Sequence, residues 1–257
     1  MDWWFYPILV LAGIAAGFIN TLAGSGSLIT LPLLIFLGLP ANTANGTNRV
    51  AILCQNVIGV SRFCREGVLD TKKGKWFLVP AVIGAIVGAQ IAVDLNDKIM
   101  RLTIGIMMVV MLTVMIAKPQ KWLKKSAPTE GSEKKGLPMW LAGPLFFLIG
   151  LYGGFIQAGV GIFLLAALVM GAGYDLVRAN ALKLLVVFAF TPLALVVFLL
   201  NGQVEWGTGF ILALGNMIGA WLGTKVAIKH GAPFIHMLLV AVVTISAVKL
   251  FWDALAG

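Results

Sequence analysis

Charge is what this chain has least of. Of its 257 residues only 11% are Asp, Glu, Lys or Arg, while 60% are hydrophobic. Soluble domains run at about 25% charged and about 45–50% apolar, so water is excluded as the main solvent, and the mean hydropathy of +0.98 agrees. Acid is scarcer than base, ten carboxylates against nineteen Lys and Arg. All ten (Asp2, Glu66, Asp70, Asp94, Asp97, Glu130, Glu133, Asp175, Glu205 and Asp253) fall in loops or at the ends of apolar runs. That placement argues against a cation carrier, which needs a carboxylate inside the membrane. The two cysteines, Cys54 and Cys64, support no disulfide framework and match no zinc spacing. The only histidines, His230 and His236, lie close together near a loop, and no base adjoins Ser25. An intramembrane metal enzyme or serine hydrolase is therefore not expected, nor is a metal or cofactor. No glycine-rich loop carrying Lys-Ser/Thr is present, which excludes a nucleotide-driven pump. In a soluble protein a net charge of +9 would suggest nucleic acid; here no nucleic-acid partner is expected, and the cations bear on membrane topology.

What is abundant is long apolar sequence, and it predicts an all-α polytopic membrane protein whose main partner is the lipid bilayer. A membrane helix needs about 20 predominantly apolar residues. Six runs qualify, near 40–62, 75–93, 98–117, 177–200, 207–227 and 233–252. Two more, 5–38 and 139–172, are too long for one span and are interrupted by glycine, at Gly24 and Gly26 and at Gly159 and Gly161. Glycine weakens a helix locally, and unwound backbone at membrane depth survives only in protein or beside a wet cavity. Tryptophans at 3, 4, 76, 122, 140, 206 and 252 sit near run ends, as an aromatic belt does. Asp2 and Trp3 open the chain with no basic stretch and no small-residue cleavage site, so no signal peptide is expected.

The chain reads as two halves, 1–117 and 139–257, joined by a basic cytoplasmic linker at 118–138. "GFINTLAGSGS" from Gly17 lies against "GFIQAGVG" from Gly154, "TANGTN" from Thr43 against "RANALK" from Arg178, and "GAIVGAQ" from Gly84 against "GNMIGAW" from Gly215. Each repeat is one broken segment followed by three spans, a pattern of secondary transporters. If both broken segments cross fully, eleven cations fall inside and five outside; if both are re-entrant, the split is fourteen to two. The positive-inside rule favours the second arrangement. It makes the repeats inverted and puts the loop at 62–75 and the linker inside, with both termini outside.

Two cations, Arg49 and Lys183, fall deep inside predicted helices at neighbouring places in the repeat. A charge at mid-membrane costs at least about 2.5–3.5 kcal/mol, so it usually marks a pathway or ligand. With no acid in the spans, a passing anion would relieve that cost. Removing Arg49 is then expected to abolish anion binding with little loss of fold. The structural alternative is that each cation ties down carbonyls at a helix break. Lys249, four residues before Asp253, is explained by an ion pair or snorkelling. Helix restarts after Gly26 and Gly161 offer free amides and a positive dipole end. Gly24 and Gly159 shape those breaks, and Ser25 and Ser27 add hydroxyls to the first. Amides match across the repeat, Asn20 with Gln157 and Asn45 with Asn180, while Asn48 falls on Lys183. Gln55 and Asn216 have no such match and read as a structural hydrogen bond.

The order of "GFINTLAGSGSLITLPLL", "GLPANTANGTNRVA" and "GVLD", repeated in degraded form after the basic linker, resembles the TauE/SafE family of sulfite exporters, also called the 4-toluenesulfonate uptake permease family. The resemblance covers essentially the whole chain. It implies a prokaryotic inner-membrane carrier of small sulfur-containing anions such as sulfite, sulfoacetate and other organosulfonates. The second repeat is the looser match, with Val160 and Ile162 in place of the serines. An anion channel on the same scaffold and a proton-coupled uptake permease using His236 are the competing readings, and a homo-oligomer is left open.

Overall fold

In a computed structural model of the protein, residues 5–69, 71–116 and 137–229 are described. The linker stretch 118–136 and the run expected at 233–252, with His230, His236 and Lys249, lie outside the described residues. Regular structure among the described residues is entirely helical. In chain order it comprises α1 (Phe5–Ala23), α2 (Ser27–Phe36), α3 (Ala41–Arg65), α4 (Thr71–Val93), α5 (Asp97–Ile116), α6 (Met139–Phe155), α7 (Val160–Ala166), a π-helical turn (Ala167–Gly171), α8 (Leu176–Leu200) and α9 (Trp206–Lys229). Phe5–Ala23, Trp76–Val93, Leu176–Leu200 and Trp206–Val226 are long and apolar enough to cross a membrane. With 25 residues, α3 is about 37 Å long. Its first half is polar but inward-facing: Asn42, Asn45, Thr47, Asn48 and Arg49 are all buried.

Both expected interruptions are present, and each has a backbone cause. Helix α1 ends at Ala23 and Gly24 turns left-handed at φ 75° before α2 begins at Ser27. Helix α6 ends at Phe155, and Gln157 and Gly159 take φ 66° and 76° before α7 begins at Val160. A left-handed residue cannot continue a right-handed helix, and outside glycine it costs roughly 1–2 kcal/mol.

The halves pack by exchange. Helix α1 lies along α9, and α6 along α4. Atoms added as Cβ to Gly215, Gly219 and Gly223 would strike the carbonyls of Val10, Ile14 and Phe18 in turn. On the other pair, Gly84 and Gly88 meet the carbonyls of Phe147 and Leu151. Both residue numbers climb together, so each pair is parallel, with small residues letting the backbones approach. At the centre α3 crosses α8 in the opposite direction, Gly46 against Phe198 and Gly59 against Leu184. Helix α3 runs with α9, bonded by Gln55 to Asn216 at 3.3 Å and by Arg62 to the Trp221 carbonyl at 3.2 Å. Asn42, at the start of α3, donates to Leu95 O at 2.7 Å just past the end of α4, so α4 runs back. Hence α1 and α3 run in one direction and α6 and α8 in the opposite one.

Candidate functional site

The two breaks touch. A Cβ on Gly24 would lie 2.4 Å from Gly161 Cα, and one on Gly161 would lie 2.3 Å from Gly24 Cα. The Gly161 amide donates to Gly24 O at 3.2 Å. Beside this contact lies a cavity of about 10 Å³, room for one water. Asn20, Gly24 and Ser27 line it from the first break and Gln157, Val160 and Gly161 from the second. Ile52 and Asn56 of α3 and Lys183, Leu184 and Val187 of α8 complete the wall. Residues 52 and 56 stand near the midpoint of the 25-residue α3, so the cavity is far from either end of that helix.

Lys183 is 1% exposed. Its Nζ donates to Asn20 O at 3.0 Å and to Thr21 O at 3.1 Å. These are among the last carbonyls of α1, which carry its negative dipole; Asn20 O also accepts from the Gly24 amide at 2.8 Å. An ammonium has three donors, so one N–H is left for the cavity. Among the described residues the ion pairs are Arg101 with Asp97 and Arg178 with Asp175, both at helix starts, and no carboxylate pairs with Lys183.

Arg49 carries out the reciprocal contact. Its guanidinium donates to Gly153 O at 3.2 Å, to Gly154 O and to Asn45 Oδ1 at 3.5 Å. It stacks over Phe198 at 4.6 Å, and Asn45 Nδ2 donates to Phe155 O at 2.7 Å. The central helix of each half thus caps the broken helix of the other half. Arg49 is fully buried but does not line the cavity. Because it holds two backbone carbonyls, the expectation that Arg49 can be removed with little loss of fold is revised.

Of the other residues singled out from the sequence, Asn20, Gly24, Ser27, Gln157 and Gly161 come together around Lys183. Asn48 is turned to α2 instead, accepting from Thr30 Oγ1 at 2.6 Å. Ser25 Oγ and Asn180 Oδ1 are buried without a partner, and neither residue lines the cavity. Gly26 packs on the Ala16 carbonyl and Gly159 on Met111. Sequence reasoning missed Asn56 and Thr191. Asn56 falls on the stripe 45, 49, 52, 56, whose spacings of four, three and four residues put it on the same face of α3 as Asn45 and Arg49. Thr191, 0% exposed, carries no comparable signal in an otherwise apolar helix. It positions Gln157, whose Nε2 donates to its hydroxyl at 3.0 Å.

The model of the family "Sulfite exporter TauE/SafE" matches residues 9–250. The chain is 28% identical over 245 residues to the probable membrane transporter protein ORF9 of a Sinorhizobium species, covering 95% of this chain and 92% of that one. It is 27% identical to the probable membrane transporter protein YfcA of Escherichia coli K12, covering 96% and 90%. A probable membrane transporter protein of Haemophilus influenzae is 26% identical, with 96% and 94% covered. The chain belongs to the TauE/SafE family and is a multi-pass membrane transporter.

Proposed function

We propose that this family member is a secondary carrier of small sulfur-containing anions, such as sulfite, sulfoacetate or another organosulfonate, and that it works as an exporter in the prokaryotic inner membrane. The observation that carries the reading is Lys183, a buried ammonium with no carboxylate partner among the described residues, at a cavity where two broken helices meet. In that setting the charge is held only by carbonyl dipoles. An anion arriving at the cavity supplies a full counter-charge in a low-dielectric place, where it counts for more than in water. Asn20 and Ser27 complete the first contacts, Gln157 stands in the same wall, and Arg49, Asn45 and Asn180 belong to the surrounding frame.

The opposed directions of α1 and α6 support inverted repeats, and with them two access states of similar energy. Because the cavity has room for one water, a sulfonate group enters only when its walls part. The bonds from Lys183 to Asn20 O and Thr21 O are the ones an anion competes with, which couples binding to movement of α1. Inside-negative potential drives an anion outward by about 2.3 kcal/mol per charge per 100 mV, so export needs no proton.

A thermal-shift panel of sulfite, thiosulfate, sulfoacetate and simple sulfonates on the purified protein tests the site. A ligand at 100 times its Kd stabilises the folded state by about 2.7 kcal/mol. Stabilisation by at least one of these anions, lost in Lys183→Gln, is the expected result. Equal stabilisation of the wild type and Lys183→Gln overturns the assignment.

A further inference from the structure

Two carboxamides in the cavity wall have their orientation fixed by their neighbours, and both leave an oxygen unused. Asn56 Nδ2 donates to Ile52 O at 2.8 Å; a carbonyl only accepts, so the nitrogen must be the atom that faces it. Thr191 gives its hydroxyl hydrogen to Val187 O at 2.6 Å. Its oxygen is then free only to accept, and the donor at 3.0 Å must be Gln157 Nε2. The remaining atoms, Asn56 Oδ1 and Gln157 Oε1, are buried without a hydrogen-bond partner, in residues that are 0% and 2% exposed. A buried acceptor left unsatisfied is destabilising. Here there are two, one on α3 and one in the second break, around the cavity that Lys183 also borders.

A site meant for a bare oxyanion would be lined by donors alone, because carbonyl oxygens repel the anion's own oxygens. Around this cavity stand one cation, Lys183, and two residues with fixed acceptors, Asn56 and Gln157. The space takes a single water. A ligand that displaces such a water loses affinity unless it reproduces the bonds it removes. We propose that the anion taken by this site carries its own hydrogen-bond donor, an O–H or N–H close to its negative charge, and that Asn56 and Gln157 select for that donor. The class is a hydroxylated or amino-bearing sulfonate, or a sulfur oxyanion in its protonated monoanionic form, in preference to a donor-free anion of equal size. The proposal rests on the anion-site reading above and narrows its substrate.

Calorimetric titration of the purified full-length protein with 2-hydroxyethanesulfonate and with ethanesulfonate tests it, since the two differ by one hydroxyl. The wild type is expected to bind the hydroxylated anion about tenfold more tightly. The ratio should fall towards one in Asn56→Leu or in Gln157→Met, whichever is recovered folded, and both anions should weaken together in Lys183→Gln. Equal affinities in the wild type overturn the donor proposal but leave the anion site standing, provided that Lys183→Gln still weakens both. A tenfold ratio that persists in both carboxamide variants also overturns it, because the donor is then read elsewhere. Failure of both sulfonates to bind the wild type removes the anion-site reading and this proposal together.

Discussion

Arg49 and Lys183 do the same thing, binding carbonyls at the end of a broken helix with side chains supplied by the other half of the chain. Truncating Arg49 to alanine strands the Gly153 and Gly154 carbonyls in a buried place, and each unsatisfied carbonyl costs about 1–3 kcal/mol. Arg49→Ala is therefore expected to lower the unfolding temperature in detergent by several degrees, whatever it does to binding. A variant as stable as the wild type would remove the capping role. Lys183→Gln keeps two N–H donors for the same carbonyls while losing the charge, so its main loss should be in anion binding. The sequence marked both residues as buried cations without acid partners, and carbonyl capping was among the readings it allowed. It did not reveal which carbonyls take them. Those partners are backbone atoms 104 and 105 positions away for Arg49 and 163 and 162 for Lys183, and backbone leaves no pattern of residue types to read. Asn56 escaped for a related reason: it has no amide at the matching place in the second half, and only the stripe on α3 marks it.

At the scale of elements, glycine placed the breaks in advance, and the matched pair Gly24 and Gly159 share a left-handed φ. The contact that joins the breaks is between Gly24 and Gly161. Because a Cβ on Gly161 would sit 2.3 Å from Gly24 Cα, Gly161→Ala must push the two breaks apart. Overpacking of this kind costs about 1–3 kcal/mol. The variant should melt earlier and bind anion more weakly, and unchanged binding would mean that the contact is not part of the site. At the start of α9, Glu205 accepts from the Thr208 amide at 2.5 Å and the Gly207 amide at 3.1 Å. Burial pushes its carboxyl up, but the bonds from the Thr208 side chain and amide and from the Gly207 amide outweigh that and hold it below the ordinary glutamate range. The folded state thus favours the carboxylate, and the stability this contributes is present at neutral pH and lost as pH falls through the lowered value. Glu205→Gln should flatten the acid side of the melting-temperature profile relative to the wild type; an identical profile would contradict the capping role.

For the whole molecule, 60% hydrophobic residues and 11% charged leave no soluble alternative, and the length of the apolar runs adds the polytopic helical class. The exchange of α1 and α6 between halves did not follow from it. Glycines four apart announce close helix packing but not which helix is the partner. The directions of the described helices agree with the cation count in one further expectation. With Cys54 and Cys64 replaced by serine, Asn201→Cys should react with an impermeant thiol reagent from outside the cell and Glu66→Cys only after the membrane is opened. Reaction of both from the same side would contradict the inverted arrangement. The central claim is that Lys183 is the charge partner of a transported sulfur anion, and sulfite flux in proteoliposomes carrying the wild type or Lys183→Gln tests it most directly. Saturable flux is expected that follows an imposed membrane potential, does not respond to a pH gradient once the protonation of sulfite is allowed for, and drops at least tenfold in a folded Lys183→Gln. Wild-type flux in that variant would contradict it.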